Sequence, residues 1–224
     1  MLANGLTMPA DFPNGPYDAV HSVIVGKLKD HELYDHFAGA WVAILYRFRA
    51  AVDSGESVLA LMKIHGPTPP PVERYLQERA LFEFFSCSFS VFEAAIYAYY
   101  TIGAFLVPAA FTLASARDQQ RVTPQRTKDT FESAFNGDPI NAVFVELFAD
   151  SGYQRLREIR NILTHRAAPG RRIYISLGED TLPVEWKINN VPFDNTIITH
   201  GLADLGRLSQ LLLVAAVEFT GRHF

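Results

Sequence analysis

LFEFFSCSFSVFEAAIYAYYTIGAFLVPAAFTLA, residues 81–114, contains no Lys or Arg and is built largely of Phe, Ala, Tyr, Val and Ile. Its length suffices to cross a bilayer. Against that, Glu83 and Glu93 interrupt it, Ser86, Ser88 and Ser90 recur, and Pro108 ends any helix it forms. A carboxylate at mid-membrane costs roughly 2.5 to 3.5 kcal/mol on insertion scales. The stretch therefore reads as the central helix of an all-α domain, apolar all round because it is buried all round, and no membrane association is expected.

Outward from this helix, GPTPPP at 66–71 is a stiff linker that separates residues 1–70, an N-terminal arm with a helical extension, from residues 71–224, a helical bundle. Before the linker, Tyr17 to Lys29 and Glu32 to Val52 carry apolar residues at three and four spacing, and Ser57 to Ile64 reads as a short third helix. After it come a long helix from Val72 to about Leu106 and weaker ones around Pro124 to Phe135 and Pro139 to Phe148. A helix from Ser151 to about Arg166 follows, and a last one runs from about Gly201 to Phe219. Between the last two, RRIYISL and VEWKI flank GEDTLP and predict one β-hairpin supported by the helices. The expected fold is thus all-α, a helical bundle with an N-terminal helical extension and one small β-hairpin inserted before the last helix.

At 224 residues, 49% hydrophobic and 20% charged, the chain has the composition of an ordinary globule able to bury a sizeable core. A formal net charge of -4 argues against non-specific coating of nucleic acid, which requires many spread-out cations, so any such contact must be local. The single cysteine, Cys87, permits neither a disulfide framework nor a thiolate metal site and fits a reducing cytoplasm. MLANGLTMPADFPNGP, residues 1–16, lacks the basic start and apolar run of a secretory signal and reads as a loose arm.

HELYDH, 31–36, invites comparison with the zinc-protease motif, but its second His comes one residue late. An offset of five rotates His36 roughly 140° from His31 on a helix, so the two do not pinch one metal and read as surface or helix-capping histidines. No GxxxxGK[ST], GxGxxG or GxSxG is present, which removes the usual sequence warrants for a P-loop enzyme, a dinucleotide binder or an α/β-hydrolase. No cofactor and no metal site is expected.

Basic charge concentrates in one place. Six of the fifteen arginines, Arg155, Arg157, Arg160, Arg166, Arg171 and Arg172, fall within eighteen residues, offset there only by Glu158. Arginine grips phosphate bidentately without losing its charge, and His165 brings a proton that moves near neutral pH. Together they meet the minimum for cleaving RNA without metal: a group to take the 2′-hydroxyl proton, a group to protonate the leaving oxygen, and a cation facing the phosphorus.

RNILTH, with Arg160, Asn161 and His165, resembles the RxxxxH signature of the HEPN superfamily: an Arg followed by a polar residue, then a His near the end of a helix in a small bundle. A long apolar helix upstream carrying a carboxylate, here SFSVFEAAIYAYY with Glu93, is similar too. The resemblance covers residues 72–222 and leaves residues 1–70 without a counterpart. It implies a metal-independent endoribonuclease working as a homodimer, with two RxxxxH segments facing across one RNA-binding cleft. It further implies a toxin or defence role beside a neutralising antitoxin or a nucleotidyltransferase. On this resemblance Arg160, His165 and Asn161 are the catalytic candidates, and Arg157, Thr164, Arg166 and Glu93 the substrate-binding ones.

Each residue also has a structural reading. Arg160 pairs with a carboxylate, His165 sits exposed at a helix end favoured by the dipole, and Asn161 caps backbone groups. Glu93, expensive to bury alone, takes Arg160 or another cation as partner. Arg171 and Arg172 read as a solvated strand edge. The rival to an enzyme is a non-catalytic HEPN-like scaffold binding a nucleotide, RNA or protein.

Overall fold

The computed structural model describes residues 2–3, 5–165, 168–172, 184–188 and 191–224. Among these, eight helices follow a minute N-terminal hairpin, β1 (Leu2–Ala3) paired with β2 (Leu6–Thr7). The helices are α1 (Asn14–Leu28), α2 (Tyr34–His65), α3 (Pro71–Leu106), α4 (Ala116–Gln120), α5 (Pro124–Ala134), α6 (Ile140–Ala149), α7 (Ser151–His165) and α8 (Asn195–His223). Between α7 and α8 lies a small antiparallel sheet, β3 (Gly170–Arg172), β4 (Glu185–Ile188) and β5 (Val191–Pro192), in that spatial order. The protein is all-α with a small β element before its last helix.

α3 is the axis of the molecule. Proline at its first position fixes a helical φ and forfeits only an N–H that has no intrahelical partner. It passes the length and apolarity test for a membrane span, yet 61% of its most apolar eighteen-residue window is buried in the protein. Leu81, Phe84, Phe85, Phe92 and Tyr100 are all 1% exposed or less, and each such side chain stabilises the fold by about 1.5–3 kcal/mol through burial. The Tyr99 hydroxyl donates to the Leu212 carbonyl at 2.6 Å, tying α3 to α8, whose Leu205, Leu208 and Leu212 close the core.

α2 lies antiparallel against α3, since Gln77 meets Leu61, Phe84 meets Gly55, Arg47 meets Ser90 and Tyr97 meets His36. The expected break after Val52 does not occur, and α2 runs unbroken for 32 residues. Gly55 is there for close approach: a Cβ on it would lie 3.1 Å from both Phe84 and Leu202. Across the same turn Arg49 pairs with Asp53 at 2.8 Å and Ser57 Oγ donates to the Asp53 carbonyl, also at 2.8 Å.

The buried residues of 1–70 and those of 71–224 form one continuous core. Residues 5–12 are not a loose arm. Phe12 is 3% exposed and packs edge-on to Phe48, and the Thr7 carbonyl accepts a 2.7 Å hydrogen bond from Arg49. Two other boundaries differ from expectation. α4, held by a reciprocal Ser115–Asp118 capping box, carries no apolar period by which to find it. α8 begins six residues before Gly201, because Asp194 accepts from the Thr196 and Ile197 amides and Ile197 and Ile198 enter the core.

Arg171 corrects the reading of a solvated edge. Its side chain is 2% exposed, its Nη1 donates to the Pro67 carbonyl and its Nη2 to Gln77 Oε1, both at 2.8 Å, and its guanidinium stacks 4.0 Å over Trp186. It pins the sheet to the proline-rich turn between α2 and α3. Arg172 is exposed, as expected. The expected strand and turn residues 173–183 lie outside the described residues, as does Arg166.

A cleft between α3 and α7

α7 is fixed at its start and open at its end. Asp150 caps it, accepting from the Gly152 amide at 2.8 Å and the Tyr153 amide at 3.1 Å. Arg207 of α8 reaches Asp150 at 2.9 Å and Asp204 at 3.0 Å, while Arg155 bonds Asp204 at 2.5 Å. The Arg207 hydrogen bond holds the Asp150 carboxyl below its ordinary value, burial works against it, and the backbone amides assist. Gly152 lets α8 approach, because a Cβ there would sit 2.3 Å from the Asp204 carboxyl carbon.

Two turns on, the helix faces a cleft of about 510 Å³ between α3, α7 and the start of α5, lined among others by Phe89, Glu93, Tyr153, Arg157, Arg160 and Asn161. Arg160 occupies its floor. Its Nη2 forms a short ion pair with Glu93 Oε1, its Nη1 donates to Asn161 Oδ1 at 3.1 Å, and its guanidinium lies 4.6 Å from the centroid of the Phe89 ring. Ser90 Oγ donates to the other Glu93 oxygen at 3.4 Å. The arginine side chain is 17% exposed and the glutamate 38%, so the pair is partly wet. Pairs of that kind contribute about 1 kcal/mol or less to stability, which leaves Arg160 available for exchange with another anion.

The other candidates take up different positions. Arg157 is exposed on the same bank and donates to Gln154 Oε1. Thr164 is exposed, and its hydroxyl is spent on the Arg160 carbonyl at 2.6 Å. His165 is the last residue of α7; it is exposed, does not line the cleft, and has no hydrogen-bond or ion-pair partner among the described residues. The structure thus brings together Arg160, Asn161, Arg157 and Glu93, and leaves Thr164 and His165 outside.

Tyr153, also on the wall, has its phenol pushed well above the ordinary value by burial, with Arg157 opposing and Glu93 adding to the shift. It stays protonated at neutral pH and cannot serve as a base there. Cys87 is likewise raised by burial and by Glu83, with Arg47 opposing, so it is no thiolate nucleophile. No group of three or more His, Cys, Asp or Glu residues placed to hold a metal exists among the described residues. His31 and His36 face different partners, the Leu33 amide at 3.1 Å and the Tyr97 hydroxyl at 3.1 Å.

One participant went unnoticed in the sequence. Phe89 supplies the ring under Arg160; its position four residues before Glu93, on the same helix face, is the signal. Comparison of the chain with models of protein families, with curated proteins and with solved structures finds no match.

Proposed function

We propose that the chain is a HEPN-type endoribonuclease that cleaves RNA without a metal ion, at a cleft completed by two copies of the chain. The observation that carries this reading is the end of α7: Arg160, Asn161 and Arg157 meet Glu93 in one cleft, and the same helix ends on an exposed His165 that has no partner among the described residues. In the reaction the 2′-hydroxyl attacks the adjacent phosphorus as a base takes its proton. The bond to the 5′-oxygen breaks as an acid protonates that oxygen, and a 2′,3′-cyclic phosphate remains. Arg160 exchanges Glu93 for the phosphate, and Asn161 steadies the guanidinium during that exchange. His165 is the acid or the base.

On one helix Arg160 and His165 diverge by roughly 140°. A second copy, its own α7 end opposite, supplies the histidine that the cleft of a single chain lacks. The homodimer is therefore part of the proposal, as are action on RNA in the cytoplasm and a toxin or defence role beside a neutralising antitoxin or nucleotidyltransferase. Purified protein incubated with labelled RNAs of mixed sequence in EDTA is expected to leave 2′,3′-cyclic or 3′-phosphate ends. Light scattering is expected to give twice the chain mass of 25.0 kDa. Intact RNA, products that require added divalent metal, or a monomer at micromolar concentration would each contradict the reading.

One observation favours a second reading. Arg160 is already neutralised by Glu93, as in a bundle that binds a partner and performs no chemistry. Such a HEPN-like scaffold would bind RNA, a nucleotide or a protein and leave RNA intact under the same assay.

A further inference from the structure

The cleft at Arg160 has a neighbour. A second cleft of about 390 Å³, walled by Ala40, Ala43 and Arg47 of α2 and Tyr97 of α3, meets the first at Glu93, Thr123 and Pro124, which line both. The positive N-terminal turn of α5 borders the join. Arg47 stands on the far bank, where its Nη1 donates to the Ser90 carbonyl at 3.0 Å. Ser90 and Glu93 are three residues apart on α3, about 4.5 Å along the axis at roughly 1.5 Å per residue. Arg47 and Arg160 are thus held one turn of α3 apart, each in its own cleft, as separate phosphates of one strand require.

The arginines along this line differ in how they are neutralised. Eight of the arginines have a carboxylate within ion-pair distance. Arg47 and Arg157, on opposite sides of the neutralised Arg160–Glu93 centre, have none among the described residues. Two uncompensated cations flanking a centre match a chain of regularly spaced anions better than a single one. Tyr97 lines one cleft and Phe148 the other, aromatic side chains of the kind on which bases stack.

We infer that the two clefts form one path for single-stranded RNA, with Arg47 holding a phosphate that flanks the one at Arg160. This rests on the ribonuclease reading of Arg160. It gives a role to residues 1–70, which the RxxxxH resemblance does not reach.

The test uses a fluorescein-labelled twelve-nucleotide 2′-O-methyl RNA for binding by anisotropy across a salt series, and the same sequence as unmodified RNA for cleavage in EDTA. A dinucleotide, which has one phosphate and cannot reach both arginines, is the short substrate. Arg47→Gln is expected to weaken binding of the twelve-mer about tenfold and to reduce the magnitude of the salt slope by about 0.7. Cleavage of the dinucleotide is expected to stay at the wild-type rate. Arg47→Lys is expected to retain the slope, and Arg117→Gln, an exposed arginine lining neither cleft, to behave as wild type. Wild-type binding and cleavage of the twelve-mer by Arg47→Gln overturns the path and leaves the ribonuclease standing. An equal loss on both substrates overturns it too, because Arg47 would then act on the centre or the fold. Wild type that neither binds nor cleaves the twelve-mer removes the ribonuclease reading and the path with it.

Discussion

The two halves of α7 use arginine in opposite ways. In the first half Arg155 is locked with Asp204, Arg207 and the capping Asp150 into a network that seats the helix on α8. From Arg157 onward the charges are less committed: Arg157 donates to a glutamine, Arg160 holds a partly wet glutamate, and His165 has no partner among the described residues. Residues a few positions apart are thus divided between fixing the helix and leaving charge accessible. A cluster of cations in sequence is not a cluster in function: Arg155 and Arg171 are structural, whereas Arg157 and Arg160 face the cleft.

The division can be broken from either side. The largest effect belongs to His165→Ala, expected to lower RNA cleavage by about 10² to 10⁴ while the melting temperature stays at the wild-type value, since the side chain is exposed. Initial rates on labelled RNA and thermal unfolding by circular dichroism read the two quantities. Gly152→Ala acts at the other end. Its Cβ would overlap the Asp204 carboxyl, so a loss of about 2–4 kcal/mol is expected, visible as an early thermal transition. Asp150→Ala removes the cap and one partner of Arg207 and is expected to cost about 1–3 kcal/mol in urea unfolding.

The smallest effect sharpens the electrostatics. Because the folded protein holds the Asp150 carboxyl below its unfolded value, the ionised form favours folding. That contribution is complete above the unfolded pKa of about 3.9 and is lost as pH falls through the lower folded value. Asp150→Asn is therefore expected to differ from wild type most above about pH 5, and the difference should begin to narrow below about pH 4 and go on narrowing as pH falls further. A gap that widens in acid would show that Asp150 is not stabilised as a carboxylate.

Local patterns in the chain were readable where one segment carried the whole signal. α3 announces itself because 34 residues without Lys or Arg can only be buried or in lipid, and Glu93 within it requires a cation, which Arg160 supplies. Signals that depend on distant partners were not readable. Gly55 shows no reason for its place until Phe84 and Leu202 are set against it. Arg171 looks solvated until Gln77, 94 residues away in sequence, and Trp186 enclose it. The same limit concealed Arg47, whose place beside the cleft follows from the antiparallel packing of α2 on α3 and from nothing in its own neighbourhood. The RNILTH motif fixes which residues to watch, but a single sequence does not state that His165 ends outside the cleft that Arg160 enters.

The most direct test sets the two halves of α7 against each other in one experiment: RNA cleavage in EDTA and thermal unfolding for wild type, Arg155→Ala, Arg160→Ala and His165→Ala. Arg160→Ala and His165→Ala are predicted to lose at least about a hundredfold in cleavage with little change in melting temperature. Arg155→Ala is predicted to melt earlier and, below its transition, to cleave at the wild-type rate. Cleavage that is absent in all four proteins, or that falls in proportion to stability across them, would contradict the division and reduce the end of α7 to a structural element.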